Sequence, residues 1–142
     1  MKYFSKSVLA MAAVMTISLG GTAVRSEPGV TADTITVGGM GPLTGPVANL
    51  VAPALKAIEA VFEEANDAGG VHGRKIKYVT EDDECKPSKG VGAIKKLIHE
   101  TKPFIIVGGG CSNASIAQKP VIIAAKIPWV IVASTADRLT EP

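Results

Sequence analysis

The chain has 142 residues with 15 basic and 13 acidic side chains, and only 4% of it is aromatic. That length holds one domain at most. With no basic patch and few aromatics to stack bases, a nucleic-acid partner has no physical support.

Lys2 and Lys6 precede an apolar run from Val8 to Leu19, and Gly20, Gly21, Thr22 and Ala23 follow it. Charge, apolar core and small-residue exit, in that order, predict a cleavable signal peptide over residues 1–26 and a periplasmic mature protein. A membrane-spanning helix is the competing reading. It needs about 18 to 20 apolar residues, and Thr16 and Ser18 interrupt this run before two glycines end it. Cleavage after Ala23 or after Ser26 leaves small residues at the cut, and no cysteine adjoins either position to take a lipid. Residues 1–26 carry Lys2, Lys6 and Arg25 and no acid, so 12 basic and 13 acidic side chains remain beyond them.

The predicted elements follow in order. Thr34 to Met40 is short, β-branched and followed by a Gly/Pro loop, Gly41 to Pro46, which reads as a strand entering a loop. Val51, Leu55, Ile58, Phe62 and Ala65 recur at helical spacing, with Asn66 to Gly70 as the stop. Lys75 to Thr80 alternates as a second strand and runs into Glu81 to Glu84, read as a solvated acidic loop. Ser88 is placed to cap a second helix reaching about Glu100, with Val91, Ile94, Leu97 and Ile98 on its buried face. Pro103 to Val107 is an apolar strand broken by Gly108 to Gly110. Ser112 opens a third helical stretch that Pro120 is expected to delay or kink. Pro128 to Ala133 is the fourth strand, and Ser134 to Pro142 a polar exit.

This alternation predicts an α/β fold, a Rossmann-like parallel sheet with helices on both faces. The apolar runs Phe104 to Val107 and Val130 to Val132 fit strands buried on both sides. Cys85 and Cys111 are the only cysteines, and an oxidising compartment favours their closing as a disulfide over two buried free thiols.

In an open parallel sheet, ligands bind beyond the carboxyl ends of the strands. Three loops occupy that edge: Gly41 to Pro46, Gly108 to Ser112, and Ala133 to Thr135. The glycines through Gly110 let backbone approach a ligand, a helix start beyond them offers free N–H groups, and the Ser112 and Thr135 hydroxyls can donate to the same anion. A tight turn alone explains the glycines equally well. A phosphate loop would end in Gly-Lys-Ser/Thr, and Gly39, Gly41 and Gly45 do not have dinucleotide-loop spacing. No cofactor is therefore expected.

The blocks GPLTGPVA (Gly41 to Ala48), NDAGGVHGRKI (Asn66 to Ile76), EDDEC (Glu81 to Cys85), GGGCSNAS (Gly108 to Ser115) and IPWVIVASTADRLT (Ile127 to Thr140) run in order through most of the mature chain. As a set they resemble the branched-chain amino-acid-binding proteins that serve ABC transporters. The resemblance implies a type I periplasmic binding fold with two Rossmann-like lobes closing on a solute. Residues 27–142 would form the incomplete first lobe. It implies a Cys85–Cys111 disulfide, Ser112 on the solute carboxylate, and Ala133 and Thr135 holding the carboxylate and amino ends. Leu50 stands about where the family often has an aromatic over the ligand side chain. The implied partners are a small carboxylate or amide solute and an ABC permease. The family's second lobe supplies the acid that meets the solute ammonium, and the sequence ends at Pro142. Each lost 1.4 kcal/mol or so costs tenfold in affinity, so these 142 residues are expected to bind weakly or not at all alone.

Other chemistries leave fainter traces. His72 and His99 lie 27 positions apart without a second ligand at metal spacing. Glu81 to Glu84 lacks the spaced oxygens of a calcium loop. Trp129 reads as core or rim rather than a stacking platform. A Cys111 nucleophile backed by Ser112 and His99 is an enzyme alternative that pairing with Cys85 would remove. A ligand-sensing receptor module of the same fold is a second alternative.

Overall fold

The computed structural model describes residues 27–141, so the expected signal peptide lies outside the described residues. These residues form four parallel strands: β1 (Thr34–Gly41), β2 (Lys75–Asp82), β3 (Ile105–Gly108) and β4 (Trp129–Ile131). Between them run α1 (Ala48–Asp67), α2 (Pro87–Lys96) and α3 (Ser112–Ala125). The sheet order is β2-β1-β3-β4. The chain therefore leaves β1 to one side for β2 and then crosses back over it to β3, which makes the β1/β3 boundary the point where strand order reverses.

β1 shows why helices cover both faces. Successive strand side chains point to opposite faces. A Cβ on Gly41 would lie 3.0 Å from Leu55 of α1, and one on Gly39 would lie 2.4 Å from the Tyr78 hydroxyl. Met40, between them, is fully buried on the other face with Ile94, Leu97, Ile106 and Ile122. Tyr78 exploits the gap at Gly39: it crosses from β2 to donate its hydroxyl to the Val107 carbonyl at 2.7 Å. Its ring meets Phe62 edge-on at 5.4 Å. Burial, with the Glu59 charge adding, pushes this phenol up to about 12.

Three local expectations need correction. The cap of α2 is Lys86, in extended conformation, with Pro87 opening the helix, so Ser88 lies inside the first turn. Proline suits that position because its missing N–H is one of the unpaired donors there, and it forces the preceding residue out of helical geometry. α2 then passes into a π turn, Leu97–Thr101, which ends at Lys102 in left-handed conformation. Pro120 neither delays nor divides α3, which runs unbroken from Ser112 to Ala125.

The third correction concerns burial. β4 is an edge strand with Val130 half exposed, and Phe104 and Val132 are exposed as well. Among the described residues α1 lies over β1 and β2, leaving the β3 and β4 side of its face uncovered. Apolarity placed the strands but not their bounds or edges: Phe104 lies just before β3 and Val132 just after β4. No helix of the described residues is long and apolar enough to cross a membrane.

Candidate functional site

The three loops expected at one rim are brought together there. Backbone bonds prolong the sheet past the strand ends: Gly109 N–H donates to Met40 O at 2.7 Å, Ala133 N–H to Gly109 O at 3.0 Å and Asp83 N–H to Gly41 O at 3.2 Å. The loops are thus continuations of the sheet, held by its rigidity. A Cβ on Gly110 would stand 2.4 Å from Val51 and 2.9 Å from Pro42. Its missing side chain lets the third-strand loop close on the first loop and on the opening turn of α1. Leu50 lies in that turn, 73% exposed and free of the core.

Ser112 begins α3, and its Oγ accepts the backbone N–H of Thr135 at 3.1 Å. An oxygen that accepts this bond keeps its own proton for donation. Thr135 is exposed. Ala133 has its N–H committed to Gly109, so what it can offer a ligand is its carbonyl. The cap of α3 is Cys111, extended and without a side-chain hydrogen bond to the helix, which leaves first-turn N–H groups at the rim. The arrangement combines donors for an anion with an acceptor for a cation, and it brings no base to a nucleophile.

Beneath this layer lie residues the sequence reading did not place in the site. Ser115 is fully buried, and its hydroxyl meets that of Ser134 at 2.7 Å. Trp129 donates its indole N–H to Gly108 O at 3.0 Å, and a Cβ on Gly109 would lie 3.2 Å from both the Trp129 ring and the Ser115 hydroxyl. Trp129 therefore props the glycine loop from below.

The acidic run expected to be solvated is the larger surprise. Asp82 Oδ1 accepts the N–H groups of Leu43 (2.9 Å), Thr44 (3.3 Å) and Glu84 (2.9 Å), and Oδ2 accepts the Thr44 hydroxyl. Burial pushes this carboxyl up, but the bonds from Thr44, Glu84 and Leu43 prevail and hold it below the usual carboxylate range. Asp83 points the other way and is fully buried. Its Oδ1 accepts the Cys85 N–H at 2.8 Å, and Gln118 of α3 donates to Oδ2 at 3.4 Å.

Cys85 and Cys111 form the expected disulfide, with Cα atoms 5.4 Å apart. Asn113 donates from its amide to the Cys85 carbonyl at 3.3 Å beside it. The bond consumes both thiols, so the cysteine-nucleophile alternative loses its nucleophile. Among the described residues no group of three or more His, Cys, Asp or Glu is placed to hold a metal ion.

Asp83 carries a testable consequence. Burial is the main cause that raises its carboxyl, the Cys85 and Gln118 bonds pull against it, and the Asp82 charge adds to the rise. A folded-state pKa above the unfolded one means the carboxyl favours folding below the unfolded pKa, and this contribution is lost as pH rises through the folded pKa. At neutral pH, Asp83 is therefore a burden. The Gln118 Oε1 beside it is buried without a partner. Asn at 83 keeps the oxygen for Cys85 and carries no charge to bury, while a Gln118 amide that turns over to accept from its NH2 exchanges one unpaired polar atom for another. Asp83→Asn is expected to raise stability at pH 7 by on the order of 1 kcal/mol, the gain shrinking toward pH 4, as read by urea unfolding at both values. A destabilised variant at pH 7 would contradict this.

Comparison with known proteins places the fold. A family model described as periplasmic binding protein matches residues 34–142. An amino acid binding protein of Pseudomonas aeruginosa is 32% identical over 99% of the chain and 35% of its own length. Among solved structures, the branched-chain amino acid transporter substrate binding protein LivJ of Streptococcus pneumoniae, in complex with isoleucine, superposes with a TM-score of 0.72. It is 26% identical, over 76% of this chain and 31% of that one. A solute binding protein of an ABC transporter from R. palustris, in complex with 4-hydroxybenzoate, gives a TM-score of 0.67 at 27% identity, over 76% and 29%. The chain spans about a third of the length of such relatives. With its parallel sheet, its rim and the match over residues 34–142, the chain belongs to the periplasmic binding protein family.

Proposed function

We propose that the chain is the head-group-gripping part of a periplasmic solute-binding protein that delivers its solute to an ABC permease and performs no chemistry. Its solute is a branched-chain amino acid or a related small carboxylate or amide. Ser112 and Thr135 donate to the carboxylate, Ala133 offers its carbonyl to an ammonium, Gly110 gives close backbone approach, and Leu50 borders the solute's side chain. Residues 1–26 direct export. The observation that carries this reading is the 3.1 Å bond that sets Ser112 and Thr135 side by side at the carboxyl rim of the sheet, beyond β3 and β4 and next to the reversal point. The solutes named for two relatives, isoleucine and 4-hydroxybenzoate, share a carboxylate and differ in everything else. A rim that reads the carboxylate and leaves the remainder to other contacts fits both. A bound solute then biases a closed state through the contacts it makes only there.

The test is an NMR titration, which tolerates weak binding. Millimolar isoleucine or 4-hydroxybenzoate is expected to shift the amide signals of Ser112, Ala133 and Thr135. Ser112→Ala and Thr135→Ala should each weaken that response by about 1 to 2 kcal/mol, roughly five- to thirtyfold in affinity. Equal response in both variants and the parent removes the site assignment.

A further inference from the structure

The first rim loop has few ways to hold its shape. Gly41 to Pro46 contains two prolines, Pro42 and Pro46, which have no N–H to donate. Of its three donors beyond the strand, Leu43, Thr44 and Gly45, the first two give their backbone N–H to one oxygen of Asp82, and Thr44 adds its hydroxyl to the other. The same carboxylate takes the N–H of Glu84, which has positive φ, as does Cys85 after it. Cys85 is bonded to Cys111 at the cap of α3. One side chain at the end of β2 thus ties the first loop to the turn that is itself stapled to the second.

From this geometry we infer that Asp82 is the positioning residue of the solute rim: it sets the Leu43–Thr44 loop, and through it Pro42 and the opening turn of α1, against Gly110. Asp82 touches no solute. The inference rests on the reading that Ser112 and Thr135 grip one, and it assigns the shape of the opposite wall to a carboxylate at the end of the neighbouring strand, β2. The chemistry favours a carboxylate there, because three amide donors converging on one oxygen need strong acceptor character. Asparagine keeps that oxygen and meets the Thr44 hydroxyl with an NH2, so it is the conservative replacement.

Two readouts on the 142-residue chain separate this inference from the reading beneath it. The first needs no solute: Asp82→Ala is expected to speed amide hydrogen exchange at Leu43 and Thr44 by about tenfold or more, the loss of one charge-assisted hydrogen bond, while Asp82→Asn retains most of the protection. The second is the titration with isoleucine and 4-hydroxybenzoate, in which Asp82→Ala is expected to lose about tenfold in affinity and Asp82→Asn to recover much of it. Thr44→Val, which deletes only the hydroxyl, serves if Asp82→Ala does not fold, with a smaller change in the same direction. Unchanged exchange at Leu43 and Thr44 overturns the inference. So does faster exchange with unaltered solute response. A parent chain whose Ser112 and Thr135 signals ignore both solutes overturns the solute reading instead, and the exchange experiment still decides whether Asp82 holds the loop.

Discussion

Truncating Ile106 to alanine is expected to lower the free energy of unfolding by about 2 to 5 kcal/mol, more than any other single core change of that size outside this cluster. Ile106 has no exposed surface and sits at the centre of the sheet, registered with Gly38 of β1 on one side and Trp129 of β4 on the other. Its side chain belongs to the cluster of Met40, Ile94, Leu97 and Ile122, so a strand, both α2 and α3, and the π turn all lose a contact at once. The space cannot collapse easily, since β1 is held at backbone level on the far side. Urea unfolding of Ile106→Ala and Ile106→Val separates the causes: valine, which leaves a much smaller void, should cost about 1 kcal/mol. A loss under 1 kcal/mol for alanine would mean the cluster is not packed as described. Because β3 leads directly into the glycine loop, the same variant should also blunt any solute response.

Loss of the disulfide is the second large effect. Cys85 and Cys111 are separated by 26 residues, and confining a loop of that length in the unfolded chain contributes about 3.5 kcal/mol in the chain-entropy model. Net stabilities of domains are about 5 to 15 kcal/mol, so reduction removes a substantial fraction of the total. The Cys85→Ser, Cys111→Ser double variant should unfold at correspondingly lower urea, and a reductant should bring the parent down to the same midpoint while leaving the variant where it is. A parent indifferent to reductant would show that the bond does not constrain the unfolded chain. Since the bond also anchors the cap of α3 beside Ser112, its removal acts on the rim as well as on the whole.

The order and type of the elements were legible from periods and apolar runs: Val51 and Leu55 at helical spacing, Lys75 to Thr80 alternating, Ile105 to Val107 an unbroken apolar stretch. The rim was legible too, since a parallel βαβ chain must place the loops after its strands on one edge. What periodicity lacks is lateral information. Val130 read as doubly buried because sequence does not give strand order or the reach of α1, and Phe104 because an apolar run does not show where its strand begins. Ser88 outweighed Pro87 as a helix signal because a side-chain cap is easier to see than a missing N–H. Asp82 and Asp83 read as solvated since four acids in a row ordinarily repel one another into water. A clue lay in the preceding loop, where Leu43 and Thr44 have N–H groups that need acceptors in a segment too short and proline-rich to supply its own.

Gly39 and Tyr78 behave as one unit of shape. The phenol fills the volume that a β1 side chain would otherwise occupy, and it bonds the carbonyl of the strand beyond. Bulk at one position must be surrendered at the other, so substitutions there are tolerable only as compensating pairs, and the sheet inherits a cross-brace spanning three strands from a residue that has no side chain.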